Sequence, residues 1–114
     1  MKDPITDPTA RKGSAPLLIL AALEDGELHG YDIGREIARR SNGLLTFRAA
    51  SLYPLLYRLE ERGWIRGLWV EKAGERRRRY YRLTPDGRRV LARQRSNWEG
   101  FVDAVRQVIG GEHA

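Results

Sequence analysis

The residues Trp64-Ile65-Arg66-Gly67-Leu68-Trp69-Val70-Glu71-Lys72-Ala73-Gly74-Glu75-Arg76-Arg77-Arg78-Arg79-Tyr80-Tyr81-Arg82-Leu83-Thr84-Pro85-Asp86 change character twice. Trp64 to Lys72 has the composition of a strand, Ala73-Gly74-Glu75 that of a turn, and Arg76 to Leu83 that of a second strand, so the pair is expected to form a hairpin. In the second strand Tyr81 and Leu83 share one face, and Arg78, Tyr80 and Arg82 share the other. The first strand alternates less clearly, and its faces stay unassigned. Thr84-Pro85-Asp86 then opens a helix, with a capping Thr, a Pro at the first position and an acid in the first turn.

Upstream of the hairpin the spacing is helical. Leu52, Leu55, Leu56 and Leu59 follow the i, i+3, i+4, i+7 rule of a core-facing stripe, so a helix is expected from about Ala49 to Arg62, stopped by Gly63. Pro54 lies inside it, which implies either a later start or a strained turn. Leu44 to Phe47 reads as short and extended. His29 to Arg40 forms an earlier helix with Ile33 and Ile37 inward, ended by Asn42-Gly43. The first helix starts near Ser14, carries Pro16 in its first turn, is apolar from Leu17 to Leu23 and ends at Gly26. Downstream, Val90, Gln94, Trp98, Phe101, Val105 and Ile109 recur every three or four residues along a last helix, which Gly110-Gly111 ends. The fold class is therefore mainly α with a β-hairpin. Residues 14–84 form a winged helix-turn-helix, residues 85–109 a C-terminal dimerisation helix, residues 1–13 a flexible arm, and residues 110–114 a tail.

Composition sets the outer limits. At 114 residues this is one domain with a modest core, and burial against a second copy would help it. Lys and Arg number 21 against 15 Asp and Glu, a net charge of +6 that attracts polyanions, either nucleic acid or an anionic membrane surface. The absence of Cys excludes disulfides, Cys-ligated zinc and thiol nucleophiles. No secretory leader is read in Met1 to Gly13, and the longest apolar run, Ala15 to Leu23, is far short of a membrane span, so a soluble cytoplasmic protein is expected. There is no Gly-rich phosphate loop and no metal-spaced His cluster, so neither an enzyme nor a cofactor or metal site is expected.

The candidate nucleic-acid contacts lie in three places. Arg76, Arg77, Arg78 and Arg79 crowd the hairpin tip, where guanidinium forks can grip phosphate bidentately; the plainer reading is a solvated charge run, which self-repulsion makes costly. In the third helix Ala50, Pro54 and Tyr57 face away from the leucines, Ser51, Tyr53 and Arg58 lie on the shoulders, and Arg48 precedes it. This face either reads base edges or is an indifferent outer surface. His29 and Tyr31, at the start of the second helix, either touch phosphate or cap and pack, the latter weighing slightly more for Tyr31. His113 is a tail residue with no assigned role. The apolar stripe of the last helix needs a cover: its own first helix, or a second copy meeting Leu17, Leu20, Val90, Gln94, Trp98, Phe101, Val102, Val105 and Ile109. Trp98 is there either as core or as a stacking surface for a flat aromatic ligand.

His29-Gly30-Tyr31, Ser51-Leu52-Tyr53-Pro54, Arg76-Arg77-Arg78-Arg79-Tyr80-Tyr81 and Leu83-Thr84-Pro85-Asp86-Gly87, in this order, make the chain resemble the PadR family of bacterial transcriptional regulators from about Gly13 to Phe101. The resemblance implies a homodimer, usually a repressor, that binds an inverted repeat at a promoter. It puts the third helix in the major groove and the Arg-rich wing on the flanking backbone or minor groove. It carries DNA contact over to His29, Tyr31, Ser51, Tyr53 and the wing arginines. The single short C-terminal helix is similar to that of the compact branch, in which some members bind aromatic drugs between tryptophans placed like Trp98. Double-stranded DNA, a second copy and a small aromatic effector are thus the expected partners. Two alternatives stay in view: a winged helix whose basic wing grips an acidic protein, and an RNA-binding module with a preference for single strands or A-form helices.

Overall fold

The structure, a computed structural model, describes residues 14–71 and 73–110. The arm expected over residues 1–13, Lys72 and residues 111–114, with His113, lie outside them. Among the described residues four helices and three strands follow in the order α1 (Ser14–Ala22), β1 (Leu28–His29), α2 (Gly30–Arg40), α3 (Ala49–Glu61), β2 (Ile65–Val70), β3 (Arg78–Leu83) and α4 (Pro85–Ile109). The leucine spacing of α3 does what it predicts: Leu52, Leu55, Leu56 and Leu59 are all buried. They meet Ile19, Leu20 and Leu23 from the first helical region, Ile33 and Ile37 from α2, Ile65, Tyr81 and Leu83 from the sheet, and Val90 and Leu91 from α4 in one core.

Pro54 neither delays nor ends α3. The helix starts at Ala49, and the Ser51 and Leu52 amides both donate to the Arg48 carbonyl at 2.9 Å. Proline withdraws the donor that the Ala50 carbonyl would otherwise meet, but both residues are exposed, so water can take its place. Gly63, at φ 78°, supplies the left-handed residue that turns the chain out of α3 into β2.

The hairpin is shorter than its sequence suggests, because Arg76 and Arg77 belong to the loop and only Arg78 onward pairs. The pairing is antiparallel, with Ile65 opposite Leu83 and Trp69 opposite Arg79. Tyr81 and Leu83 turn inward as their alternation requires. The sequence pattern shows no sign of a third strand, yet one is present. Leu28–His29 pairs with β3, giving the order β1-β3-β2, and a strand of two residues is too short to display an alternation.

α4 opens with the expected cap. The Thr84 hydroxyl accepts from the Gly87 amide at 2.9 Å and donates to the Gly63 carbonyl at 2.6 Å. Only Gly87, Val90 and Leu91 of its 25 residues are buried, all within the first two turns. Leu20 and Val90, expected at a subunit interface, are therefore corrected: the protomer's own core covers both, and a partner could not reach them. Leu17 packs partly buried against that core. An ion pair between Arg95 and Glu24, at 2.8 Å, and an Arg88 bond to the Glu24 carbonyl, at 3.4 Å, link α4 to the loop after α1.

Candidate nucleic-acid interface

Three motifs remote in sequence line one groove of about 530 Å³: His29, Gly30 and Tyr31 from the β1–α2 corner, Tyr53 from α3, and Trp69 with Arg76, Arg77, Arg78, Arg79 and Tyr81 from the hairpin. Among the described residues no Asp or Glu lines it. The walls are aromatic and the rim is guanidinium, a surface suited to a polyanion that carries flat, partly apolar units.

His29 is the N-cap of α2. Its Nδ1 accepts from the Tyr31 amide at 3.2 Å, which leaves the ring proton of neutral imidazole on Nε2, while its edge meets Tyr80 at 5.7 Å. Capping thus falls to His29. Tyr31 does not pack into the body, against expectation; it is 60% exposed with Arg35 over its ring. Gly30 allows the close approach of α2 to α3 and the sheet: a Cβ there would lie 3.0 Å from the Tyr53 ring and 3.3 Å from that of Tyr81.

On α3, Tyr53 and Tyr57 are exposed and so are Arg48 and Arg58, while Ser51 is half-buried. Tyr53 alone of these reaches the groove; Arg48, Ser51 and Arg58 do not line it.

The four arginines are not equivalent. Arg77 stacks over Trp69 at 4.8 Å and stays exposed. Arg76 and Arg78 are exposed and have no carboxylate partner among the described residues. Arg79 instead pairs with Glu60 at 2.6 Å, and this hydrogen bond raises its already high pKa. Arg79 still lines the groove, but it is the one of the four that has a carboxylate partner among the described residues. Burial pushes the Tyr81 hydroxyl pKa up, partly offset by the neighbouring Arg79. Trp69, Glu60 and Gly67 escaped the sequence reading, because what they face depends on the hairpin register. The one available signal was Trp69, a large aromatic one strand residue before the β2 end.

On the distal half of α4, Trp98, Phe101, Val108 and Ile109 are 48%, 59%, 85% and 70% exposed, and the Trp98 and Phe101 rings lie 5.7 Å apart. Val102, Val105 and Gln94 are half-buried. Among the described residues no helix is long and apolar enough to cross a membrane, and no cluster of three His, Asp or Glu could hold a metal ion.

The model of the transcriptional regulator PadR-like family matches residues 19–93, which run from within α1 to the first turns of α4 and include the whole groove. The chain belongs to that family. As a PadR-like chain it is a transcriptional regulator with a winged-helix fold rather than an enzyme. It is 33% identical over 102 residues to a transcriptional regulator of Mycobacterium tuberculosis, a match covering 90% of this chain and 89% of that one. A PadR family regulator from Eggerthella lenta superposes with a TM-score of 0.76 at 30% identity, covering 91% of this chain and 88% of that one. The Bacillus subtilis PadR, crystallised with operator DNA, superposes with a TM-score of 0.64 at 26% identity, over 71% of this chain and 45% of that one.

Proposed function

We propose that this PadR-like regulator is a repressor that binds a palindromic promoter site in double-stranded DNA as a homodimer, and that a flat aromatic effector relieves it. One observation carries the DNA reading: the β1–α2 corner, Tyr53 of the third helix and the wing arginines share a single groove, with no carboxylate among the described residues that line it. In a winged helix-turn-helix this brings the major-groove helix and the wing to the same side of a duplex. The related Bacillus subtilis PadR is known in complex with operator DNA, which supports the same use of the shared fold. On this reading Tyr53, Ser51 and Arg48 work at base edges and adjoining phosphates. Arg76, Arg77, Arg78 and Arg58 neutralise phosphate, and His29 Nε2 and Tyr31 donate to the backbone.

The dimer reading rests on α4. Gln94, Trp98, Phe101, Val105 and Val108 are spaced alternately four and three residues apart, which is the seam of a paired helix, and the distal part of that seam is bare in the single chain. Trp98 beside Phe101 gives a flat aromatic molecule a stacking surface between the two copies.

The test is binding of the purified protein to its own promoter region and to unrelated DNA at several salt concentrations, followed by footprinting. A protected inverted repeat with half-sites about one helical turn apart is expected. Equal binding to every sequence, near the non-specific range of about 10⁻⁴ to 10⁻⁶ M, would instead favour an acidic protein partner for the wing. For the effector, planar aromatics are titrated while tryptophan emission and the DNA complex are followed together. Quenching without release of DNA would remove the effector from the mechanism.

A further inference from the structure

Glu60 on α3 accepts two hydrogen bonds at the same carboxylate oxygen, Oε2: from the Gly67 amide of β2 at 3.1 Å and from Arg79 Nη2 of β3 at 2.6 Å. The Arg79 guanidinium lies flat on Gly67. A Cβ at that glycine would sit 2.6 Å from Arg79 Nε and Nη2 and 2.7 Å from Cζ. The Trp69 and Tyr81 rings stand beside the same guanidinium, 5.4 and 5.7 Å away. One residue from each of three elements therefore meets at a single point, where Arg79 also lines the groove wall.

We propose that Glu60, Gly67 and Arg79 form a latch that fixes the angle of the wing against the third helix, and that Arg79 is a positioning residue, not a phosphate contact. The proposal rests on the DNA-binding reading above. Tyr53 and Arg76 to Arg78 sit on different elements, and a duplex is a rigid template, so both sets of contacts form together only if that angle is held. The turn between α3 and β2 is just Arg62 to Trp64; Thr84 ties it at the base of the hairpin, and the Glu60–Arg79 bond is a second tie further up towards the tip. Nor is Arg79 free to leave. Its departure would strand the Glu60 carboxylate, 28% exposed, beside a phosphate backbone of like charge.

Three variants separate this from a simple cationic contact. Gly67→Ala inserts a methyl group where the guanidinium lies and displaces the far end of a flexible side chain, with both charges kept. Its discrimination between operator and unrelated DNA is expected to fall roughly tenfold. Its log-affinity-against-log-salt slope should steepen by up to about 0.9 as the freed guanidinium finds a phosphate. Glu60→Gln keeps an acceptor for Gly67 but not the charge, and should move both readouts the same way. Arg79→Gln should lose discrimination with the slope unchanged. A slope flattened by about 0.9 in Arg79→Gln would make Arg79 an ordinary phosphate contact and overturn the proposal, as would undiminished discrimination in Gly67→Ala. The latch also has a readout without DNA, hydrogen exchange at the Gly67 amide, which should quicken in Glu60→Ala; unchanged exchange there sinks the latch. A wild-type protein that binds all DNA alike defeats the DNA reading alone, and the exchange measurement then decides the latch by itself.

Discussion

Gly87 sits where no other residue fits, since a Cβ there would lie 2.0 Å from the Trp64 carbonyl oxygen and 2.8 Å from the Leu83 side chain. The obstacle is backbone, and the same carbonyl also accepts from the Thr84 amide at 3.1 Å, so it cannot yield cheaply. Gly87→Ala is expected to destabilise the fold by about 1–3 kcal/mol, read from the midpoint of denaturant unfolding, the usual penalty for overpacking. A midpoint equal to wild type would show that α4 can shift on the sheet. At the wing, Arg77→Ala with Arg78→Ala should weaken binding to every DNA sequence alike. It should flatten the salt slope by up to about 1.8, or roughly 0.9 for each phosphate no longer neutralised. An unchanged slope removes the wing from the mechanism. The arginine run was plain in the sequence. That its last member pairs with a carboxylate 19 residues upstream was not. Four adjacent arginines look alike until the hairpin register decides which one stands opposite Trp69.

Helices were legible because their core spacing is a local property. The stripes of α2 and α3 and the Thr84-Pro85-Asp86 start of α4 needed no partner to be recognised. β1 was not, because its two residues exist as a strand only through pairing with β3 more than fifty positions later. The groove has the same origin: its three contributors were each visible as candidates, and only the tertiary fold brings them together. α2 also carries a titratable feature. Glu36 accepts from Arg39 at 2.6 Å and from Arg40 at 2.7 Å, and these bonds hold its carboxyl at about 2, below the ordinary 4.5. Arg40 in turn reaches the Ala21 carbonyl at 3.3 Å, so the pair helps seat α2 on α1. A depressed carboxyl stabilises the fold fully above pH 4.5 and progressively less as the pH falls towards about 2. The thermal midpoint of wild type should exceed that of Glu36→Gln by a constant amount above that window, and the difference should close within it. A difference independent of pH would mean that the Glu36 charge contributes nothing. The effect should be small, because Arg39 is largely exposed and exposed pairs are screened.

For the whole molecule, the decisive imbalance is between a body that buries an aliphatic core of its own and a terminal helix that buries nothing beyond its first two turns. α4 is about 38 Å long at the usual 1.5 Å rise, and beyond Leu91 none of its residues is buried. Trp98 and Phe101, aromatic and central on the bare seam, are where a partner would gain most, since anchors of this kind dominate interface energetics. Trp98→Ala should therefore raise the dimer dissociation constant by roughly 30-fold or more, equivalent to about 2 kcal/mol, as read by sedimentation over a protein dilution series. If the proposed dimer sets two grooves on one duplex, it neutralises twice the phosphates of a single copy, so dissociation should halve the salt slope as well as lower the affinity. Truncation of Trp98 leaves every wing arginine in place, which makes the slope a measure of stoichiometry alone. A Trp98→Ala protein that stays dimeric at low micromolar concentration moves the interface elsewhere. One that is monomeric yet keeps the full slope shows instead that a single copy makes all the phosphate contacts, and that the palindrome is not read by a pair.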